Sequence, residues 1–288
     1  MMLAAKYQFE AIGTQWSIET HSPLTEAEKE HIAAIITDFT AAYSRFEPQS
    51  LVSQLHEDAA LVTFPDSIKK IIGYYQQLYL ATNGKVNPLV GDSLSQLGYD
   101  RTYSLIPHGP AMPAPSLDTL HLHGTTVSLE QPVLLDIGAI GKGYLIDRIA
   151  AYIASHHAEY VIDGSGDVAI ATASAQAIGL EHPVDATRVI GQINLVDGCL
   201  AASAPNRRSW GDSMHHIIDA TTGMSATTPV IATWAVANTA MMADGLATAL
   251  FFTDPKVLHQ YFGDFRYVIM TSNGSVQHNI ATIGEIYA

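Results

Sequence analysis

Three short stretches of this 288-residue chain bring together residue types that can do chemistry. The first is Leu134-Leu135-Asp136-Ile137-Gly138-Ala139-Ile140-Gly141-Lys142-Gly143-Tyr144. An apolar strand ends in an aspartate, three glycines follow, and an amphipathic helix begins. Such a turn offers free backbone N–H groups and the positive end of a helix dipole to a phosphate. Lys142 in the first helical turn works against that dipole, which hints at an anion nearby. The glycines would equally serve tight packing of strand on helix, and the segment alone leaves both readings open.

The second stretch is Thr239-Ala240-Met241-Met242-Ala243-Asp244-Gly245-Leu246-Ala247-Thr248-Ala249-Leu250. Asp244 and Thr248 stand at i and i+4, so their oxygens project from one helical face a turn apart. The helix is otherwise almost wholly apolar, and a buried carboxylate has to be paired or bound to a metal. Oxygens at that spacing suit a hard cation such as Mg2+, which takes few protein ligands and fills its other positions with phosphate and water. The plainer alternative makes Asp244 an N-terminal cap and Thr248 a helix residue bonded back to its own backbone; on these residues alone it stands ahead.

The third stretch, Met214-His215-His216-Ile217-Ile218-Asp219-Ala220-Thr221-Thr222-Gly223, runs from paired histidines into a turn. Histidine titrates near neutrality and suits proton transfer. Adjacent strand residues face opposite ways, so at most one of the pair faces any one site. His215 is expected in solvent, and Asp219 in support of the turn. Asp163-Gly164-Ser165-Gly166-Asp167 reads as a strand–turn–strand connection with a structural role. Zinc spacing, a Walker loop, a nucleophile elbow and a Rossmann fingerprint are all missing.

The composition narrows the field. Hydrophobic residues make up 48% of the chain, enough for a sizeable core. Acidic residues outnumber basic ones 28 to 14, for a net charge of −14. Such a surface repels nucleic acid and anionic membrane, so neither is an expected partner. An anionic ligand would need a local cation, a helix end or a metal. The single cysteine, Cys199, allows no internal disulfide and reads as a buried thiol. The first twenty residues alternate like a strand and show neither a signal-peptide pattern nor a lipobox, and no stretch is long enough to span a membrane. As given, the chain is expected in the cytoplasm, or as a mature form with its leader removed.

The elements that must position these residues follow from periodicity. Tyr7 to Thr20 reads as a strand pair around Gly13. A helix capped by Thr25, with Glu28 completing a capping box, carries Ile32, Ile35, Ile36, Phe39 and Tyr43 on one face. A second helix opens at Asp66, and Ile106 to Ser116 is a loop. Short strands are expected at 119–123, 126–129 and 133–135, then a helix over 139–154. Strands return at 160–162, 168–171, 189–196 and 230–237, followed by helices over 239–252 and 255–262 and strands near 266–271 and 275–279. Helices and strands mix without regular alternation, so the expected class is α+β, mostly antiparallel, with residues 1–288 forming one domain.

At these residues the chain resembles the ApbE family, the FAD:protein FMN transferases. Ile12-Gly13-Thr14-Gln15-Trp16 is similar to the family's early Met-Gly-Thr element. Ser44-Arg45-Phe46-Glu47-Pro48-Gln49-Ser50 and Gly84-Lys85-Val86-Asn87-Pro88-Leu89-Val90-Gly91 look like its next two. Asp136 to Tyr144 resembles the Asp-Leu-Gly-Gly-Ile-Ala-Lys-Gly-Tyr signature, and Ser165-Gly166-Asp167 its Gly-Gly-Asp element. His216 to Gly223 is close to His-x-Ile-Asp-Pro-x-Thr-Gly, and Ala243 to Ala249 to Ala-Asp-x-x-Ala-Thr-Ala. Seven elements in order make the likeness specific, although no single one is.

The resemblance implies a Mg2+-dependent (or Mn2+-dependent) transferase. It would split the pyrophosphate of FAD, release AMP, and attach FMN through a phosphoester to a Thr or Ser hydroxyl of an acceptor flavoprotein. It implies FAD contacts at Ile12, Phe46, Lys85, Val86, Asn87, Asp136, Lys142 and Ala226. It implies metal ligation by the Ala139 carbonyl, Asp244 and Thr248, with His216 as the base. An FAD pyrophosphatase and a non-catalytic FAD-binding protein are the alternatives. The chain departs from the family at Asn87 (usually Asp), Ala220 (usually Pro) and Ser165 (usually Gly).

Overall fold

Apolar residues run almost unbroken along the central strands, and because successive side chains point to opposite faces, such runs build a sheet with two buried faces. The computed structural model of the chain describes residues 3–58, 61–211 and 213–287, which leaves Met1 and Met2 of the expected first strand outside it. Among the described residues a nine-stranded sheet runs in the order Ala5–Ala11, Thr14–Thr20, Tyr160–Gly164, Asp167–Glu181, Val189–Ser203, Val230–Ala237, Arg266–Thr271 and Val276–His278. Gly284–Ile286 pairs with the N-terminal part of Val189–Ser203. Every pairing is antiparallel. Seven helices accompany the sheet: α1 Glu26–Tyr43, α2 Leu51–Asp58, α3 Ser67–Ala81, α4 Gly91–Gln96, α5 Gly141–Ile153, α6 Ala240–Ala249 and α7 Pro255–Phe262. The class is α+β, as the mixed pattern implies.

The two faces differ in residue size. Val168, Ile170, Leu200, Trp234, Val236, Val268 and Met270 fill one face. Ala169, Cys199, Ala201, Ala235 and Ala237 line the other, among the helices. Small residues let a helix approach closely, and α6 meets them with Ala240, Ala243, Ala247 and Ala249, all buried. Thr233, on the strand beneath, donates its hydroxyl to the Ala247 carbonyl at 2.6 Å. Burial pushes the Cys199 thiol in this layer up to about 12, with Asp147 and Asp197 adding to the effect.

α5 and α6 hold each other. Asp147 of α5 accepts the Ala240 and Met241 N–H groups at 2.7 and 3.1 Å, capping the first turn of α6. Asp244 of α6 accepts the Gly143 N–H at 2.9 Å, doing the same for α5. The approach is so close that a Cβ at Gly143 would stand 2.1 Å from the Ala240 carbonyl oxygen.

Other expected elements fall close to their places. Thr25 and Glu28 form the capping box of α1. α3 buries Ile68, Ile71, Ile72, Tyr75 and Leu78 after an N-terminus at Asp66. Residues 133–135 are a correction: they are extended but join no ladder. Leu134 N–H donates to Asp92 Oδ2 at 2.9 Å, and its carbonyl accepts the Gly91 N–H at 3.1 Å, so α4 takes the bonds a neighbouring strand would. α2 and α4 are short and lack the long apolar stripe by which α1 and α3 are recognised.

Gly143→Ala should destabilise the protein by ~2 kcal/mol or more in urea unfolding, because the new methyl meets backbone that cannot swing aside. Gly73→Ala in α3, where nothing lies within 4 Å of the added Cβ, should instead stabilise it by roughly 0.5–1 kcal/mol.

Candidate active site

The turn between Leu135 and α5 is braced from outside. Asp136 Oδ1 accepts the Gly138 N–H at 2.6 Å, and Oδ2 accepts the Arg45 Nε–H at 2.5 Å. Its backbone N–H donates to the Pro88 carbonyl at 2.7 Å, and the buried Tyr75 hydroxyl donates to the Asp136 carbonyl at 3.3 Å. Both carboxylate oxygens of Asp136 are therefore engaged inside the protein.

α6 crosses the far end of this turn. Thr239 caps α6 by accepting the Met242 N–H at 3.2 Å, so Asp244 stands in mid-helix and the capping alternative fails for its own helix. Thr248, one turn on, meets Ser203 Oγ at 3.4 Å rather than bonding back to α6. Asp167 lies fully buried in the same layer, although its turn reads as merely structural; the Ser165–Gly166 turn, with φ of +59° and +96°, delivers it there. Its Oδ1 accepts the Ala202 N–H at 3.1 Å. Lys142 Nζ lies 3.1 Å from its Oδ2, an ionic contact off the hydrogen-bond angle. Burial pushes the Asp244 carboxyl well up, and the nearby Asp167 pushes it further. Burial also raises Asp167, against the pull of Lys142.

Two buried carboxylates sharing one lysine leave negative charge that a further cation would relieve. Among the described residues no three His, Cys, Asp or Glu side chains gather into a metal-holding group. An ion here would rest on mixed oxygens: the Asp244 carboxylate, the Thr248 hydroxyl and a backbone carbonyl of the turn, such as that of Ala139. Those are hard donors, and they fit Mg2+.

His216 is half-buried. Its N–H donates to the Arg208 carbonyl at 3.2 Å, and its Nδ1 lies 3.3 Å from the same oxygen. A carbonyl can only accept, so the bond assigns the ring proton to Nδ1 and leaves Nε2 as the free base. Burial first, then the charge of Arg208 with smaller effects of His215 and Lys142, lowers the imidazole to about 4. His215 corrects the expectation of solvent exposure, being 9% exposed. Its Nε2 reaches the Ala226 carbonyl at 3.2 Å, and its backbone exchanges two bonds with the Ser225 hydroxyl at 2.9 and 2.8 Å. The chain folds back through Met224–Ser225 and covers the ring.

The remaining candidates divide. Ile12 tips the first hairpin at φ +45°, beside Gly13 at +73°, a left-handed conformation that costs a β-branched residue energy. Phe46 stacks on Tyr103 with centroids 4.8 Å apart. Lys85 lies 3.5 Å from Asp219 Oδ2, and its carbonyl accepts the Ala220 N–H at 3.0 Å, which joins it to the histidine segment. Val86 is turned into the core. Asn87 is buried, with Oδ1 accepting the Leu89 N–H at 3.0 Å and Nδ2 donating to the Pro115 carbonyl at 2.9 Å. Only an amide can do both, which accounts for asparagine over aspartate here. Arg45, Arg208 and Asp167 belong to the site without having been singled out by spacing. Arg45 and Asp167 lie inside quoted motifs, whereas nothing along the sequence marks Arg208.

Known proteins resemble this chain in sequence and in fold. A relative from Vibrio cholerae serotype O1 named FAD:protein FMN transferase is 31% identical over 144 residues, 46% of this chain and 43% of that relative, so the likeness spans under half of the relative's own length. One of the same name from Haemophilus influenzae is 23% identical over 260 residues, covering 79% of this chain and 72% of the relative. The crystal structure of the ApbE protein from Thermotoga maritima superposes with a TM-score of 0.84 at 23% identity, over 95% of this chain and 96% of that one, a likeness of fold. With the glycine turn, its crossing helix and the histidine segment all inside residues 12–267, the stretch that matches the ApbE family, the chain belongs to that family.

Proposed function

We propose that this chain is a Mg2+-dependent FAD:protein FMN transferase, with residues 1–288 acting as one domain. The observation that carries the reading is the Asp244–Gly143 contact, which lays a carboxylate and hydroxyl helix against the glycine turn beside Lys142. The names of its relatives agree with it.

Mg2+ or Mn2+, held by Asp244, Thr248 and the Ala139 carbonyl, would supply Lewis acidity at the diphosphate oxygens. Lys142 offsets the diphosphate's charge, which an acidic chain could not otherwise tolerate; the Gly138 and Gly143 N–H groups of the turn are already taken by Asp136 and Asp244. Ile12 and Phe46 border a ring of the dinucleotide, and Asp136 acts by holding the turn and Arg45. The acceptor protein's Thr or Ser hydroxyl gives its proton to His216 Nε2 while its oxygen bonds to the FMN phosphorus. The bond from that phosphorus to the bridging oxygen breaks, and AMP leaves with the electron pair. The Arg208 carbonyl keeps the other imidazole proton on Nδ1, so Nε2 is open to accept the hydroxyl's proton when the step begins. General-base assistance of this kind is worth ~10² to 10⁴ in rate.

Incubation with FAD, Mg2+ and a candidate acceptor flavoprotein should yield AMP and an acceptor heavier by one FMN in the mass spectrum. AMP without acceptor labelling would make the chain a pyrophosphatase, and FAD that binds but stays whole would end the enzymatic reading. Asp244→Asn keeps an oxygen for the Gly143 N–H and loses only the charge. It should cut turnover on the order of 10²–10³-fold with the thermal midpoint nearly unchanged; full activity would remove Asp244 from the metal site. His216→Ala should leave FAD binding intact while transfer stops. Because the imidazole is held down at about 4, it stays neutral as pH falls through its usual range, so the acid limb of kcat/KM should lie near pH 4. A limb near 6.5 would mean an unshifted histidine.

A further inference from the structure

Phe46 has a fixed side and a yielding side. On the fixed side, the Arg45 guanidinium lies 4.2 Å from its ring centroid and is itself tied to Asp136 of the glycine turn at 2.5 Å. Arg45 is only 3% exposed, so this support does not move. On the yielding side, the Tyr103 ring lies nearly parallel to Phe46, at 4.8 Å between centroids and 11° between planes. Tyr103 is 47% exposed and sits at φ +52°, with Leu105 at φ +53°. Both are non-glycine residues in the left-handed region, and neighbouring Leu105 and Ile106 are 41% and 67% exposed; the segment is held by an edge contact of Tyr103 with Tyr99 at 5.3 Å and by bonds of Thr102 and Ser104 to Asp100 rather than by apolar burial. The Tyr103 hydroxyl reaches the first hairpin, where a Cβ at Gly13 would lie 3.7 Å from it. Tyr103 thus bridges Phe46 and the Ile12–Gly13 tip, with Arg45 linking that stack to the turn that faces phosphate.

We propose that Tyr103 is the second wall of a ring subsite, and that a flat heteroaromatic ring of the dinucleotide enters between Phe46 and Tyr103. Entry needs Tyr103 to swing outward from Phe46 and Tyr99, while Arg45 and Asp136 keep the Phe46 wall in place. The incoming ring replaces the Phe46–Tyr103 stack with two stacks and covers Tyr103 from solvent, against the loss of the Tyr103–Tyr99 edge contact. The proximity of Arg45 to both Phe46 and Asp136 sets the ring subsite next to the diphosphate turn, as a dinucleotide requires. The inference rests on FAD being the substrate. Its flavin and its adenine share the chemistry the slot selects, a planar aromatic face.

The test is a titration of wild type, Tyr103→Phe and Tyr103→Ala with FAD, FMN and ADP, followed by calorimetry and flavin fluorescence without an acceptor protein. Tyr103→Phe should bind FAD as wild type does. Tyr103→Ala should bind it roughly two- to tenfold more weakly, the equivalent of one lost aromatic stack. The same loss should appear with only one of FMN and ADP, which identifies the ring. Flavin fluorescence should brighten in Tyr103→Ala if that ring is the flavin. Unchanged or tighter FAD binding by Tyr103→Ala overturns the proposal, as does a loss shared equally by both halves. A wild type that binds no FAD would refute the proposed function, whereas FAD binding indifferent to Tyr103 would refute only the second wall.

Discussion

Two helix N-termini in this protein are capped by each other's aspartates. Asp147 reaches from α5 to the first turn of α6, and Asp244 reaches from α6 to the first turn of α5. The exchange works only at very short range, which is why Gly143 faces the Ala240 carbonyl and why alanines line both α6 and the strands beneath it. Once the helices are locked in this way, Lys142, Asp244 and Thr248 have little freedom in where they stand. The small residues make the approach possible, and the paired carboxylates hold it against the cost of burying charge.

The electrostatics of the site follow from the same contact. Asp244 and Asp167 are buried close together with one lysine between them, and burial raises both carboxyls. In an otherwise acidic chain, Lys85, Lys142, Arg45 and Arg208 gather around the turn and the histidine segment. Buried carboxylates and basic side chains therefore stand side by side in this part of the molecule, each offsetting part of the other's charge.

Much of this was legible along the chain. Long stripes such as Ile68, Ile71, Ile72, Tyr75 and Leu78 announce their helix because 3.6-residue periodicity is a local property. The i, i+4 spacing of Asp244 and Thr248 is local too, and so is the capping box at Thr25. What was hidden depends on pairings distant in sequence. Asp167 becomes part of the site only because its hairpin ends beneath Lys142, and Arg208 matters through its carbonyl and its charge, neither of which any spacing marks. His215 is buried because the chain folds back over it at Ser225, which spacing does not reveal. Residues 133–135 have the composition of a strand, and their hydrogen bonds went to α4 instead.

Cys199 lies in the alanine-lined layer between sheet and helices, with its thiol held protonated far above physiological pH. The thiolate is the species that attacks peroxides, alkylating agents and disulfides, and burial denies both its formation and its access. While folded, the chain therefore has no sulfhydryl handle for glutathionylation or intermolecular cross-linking. The fold itself thus withdraws the chain's single cysteine from oxidation chemistry.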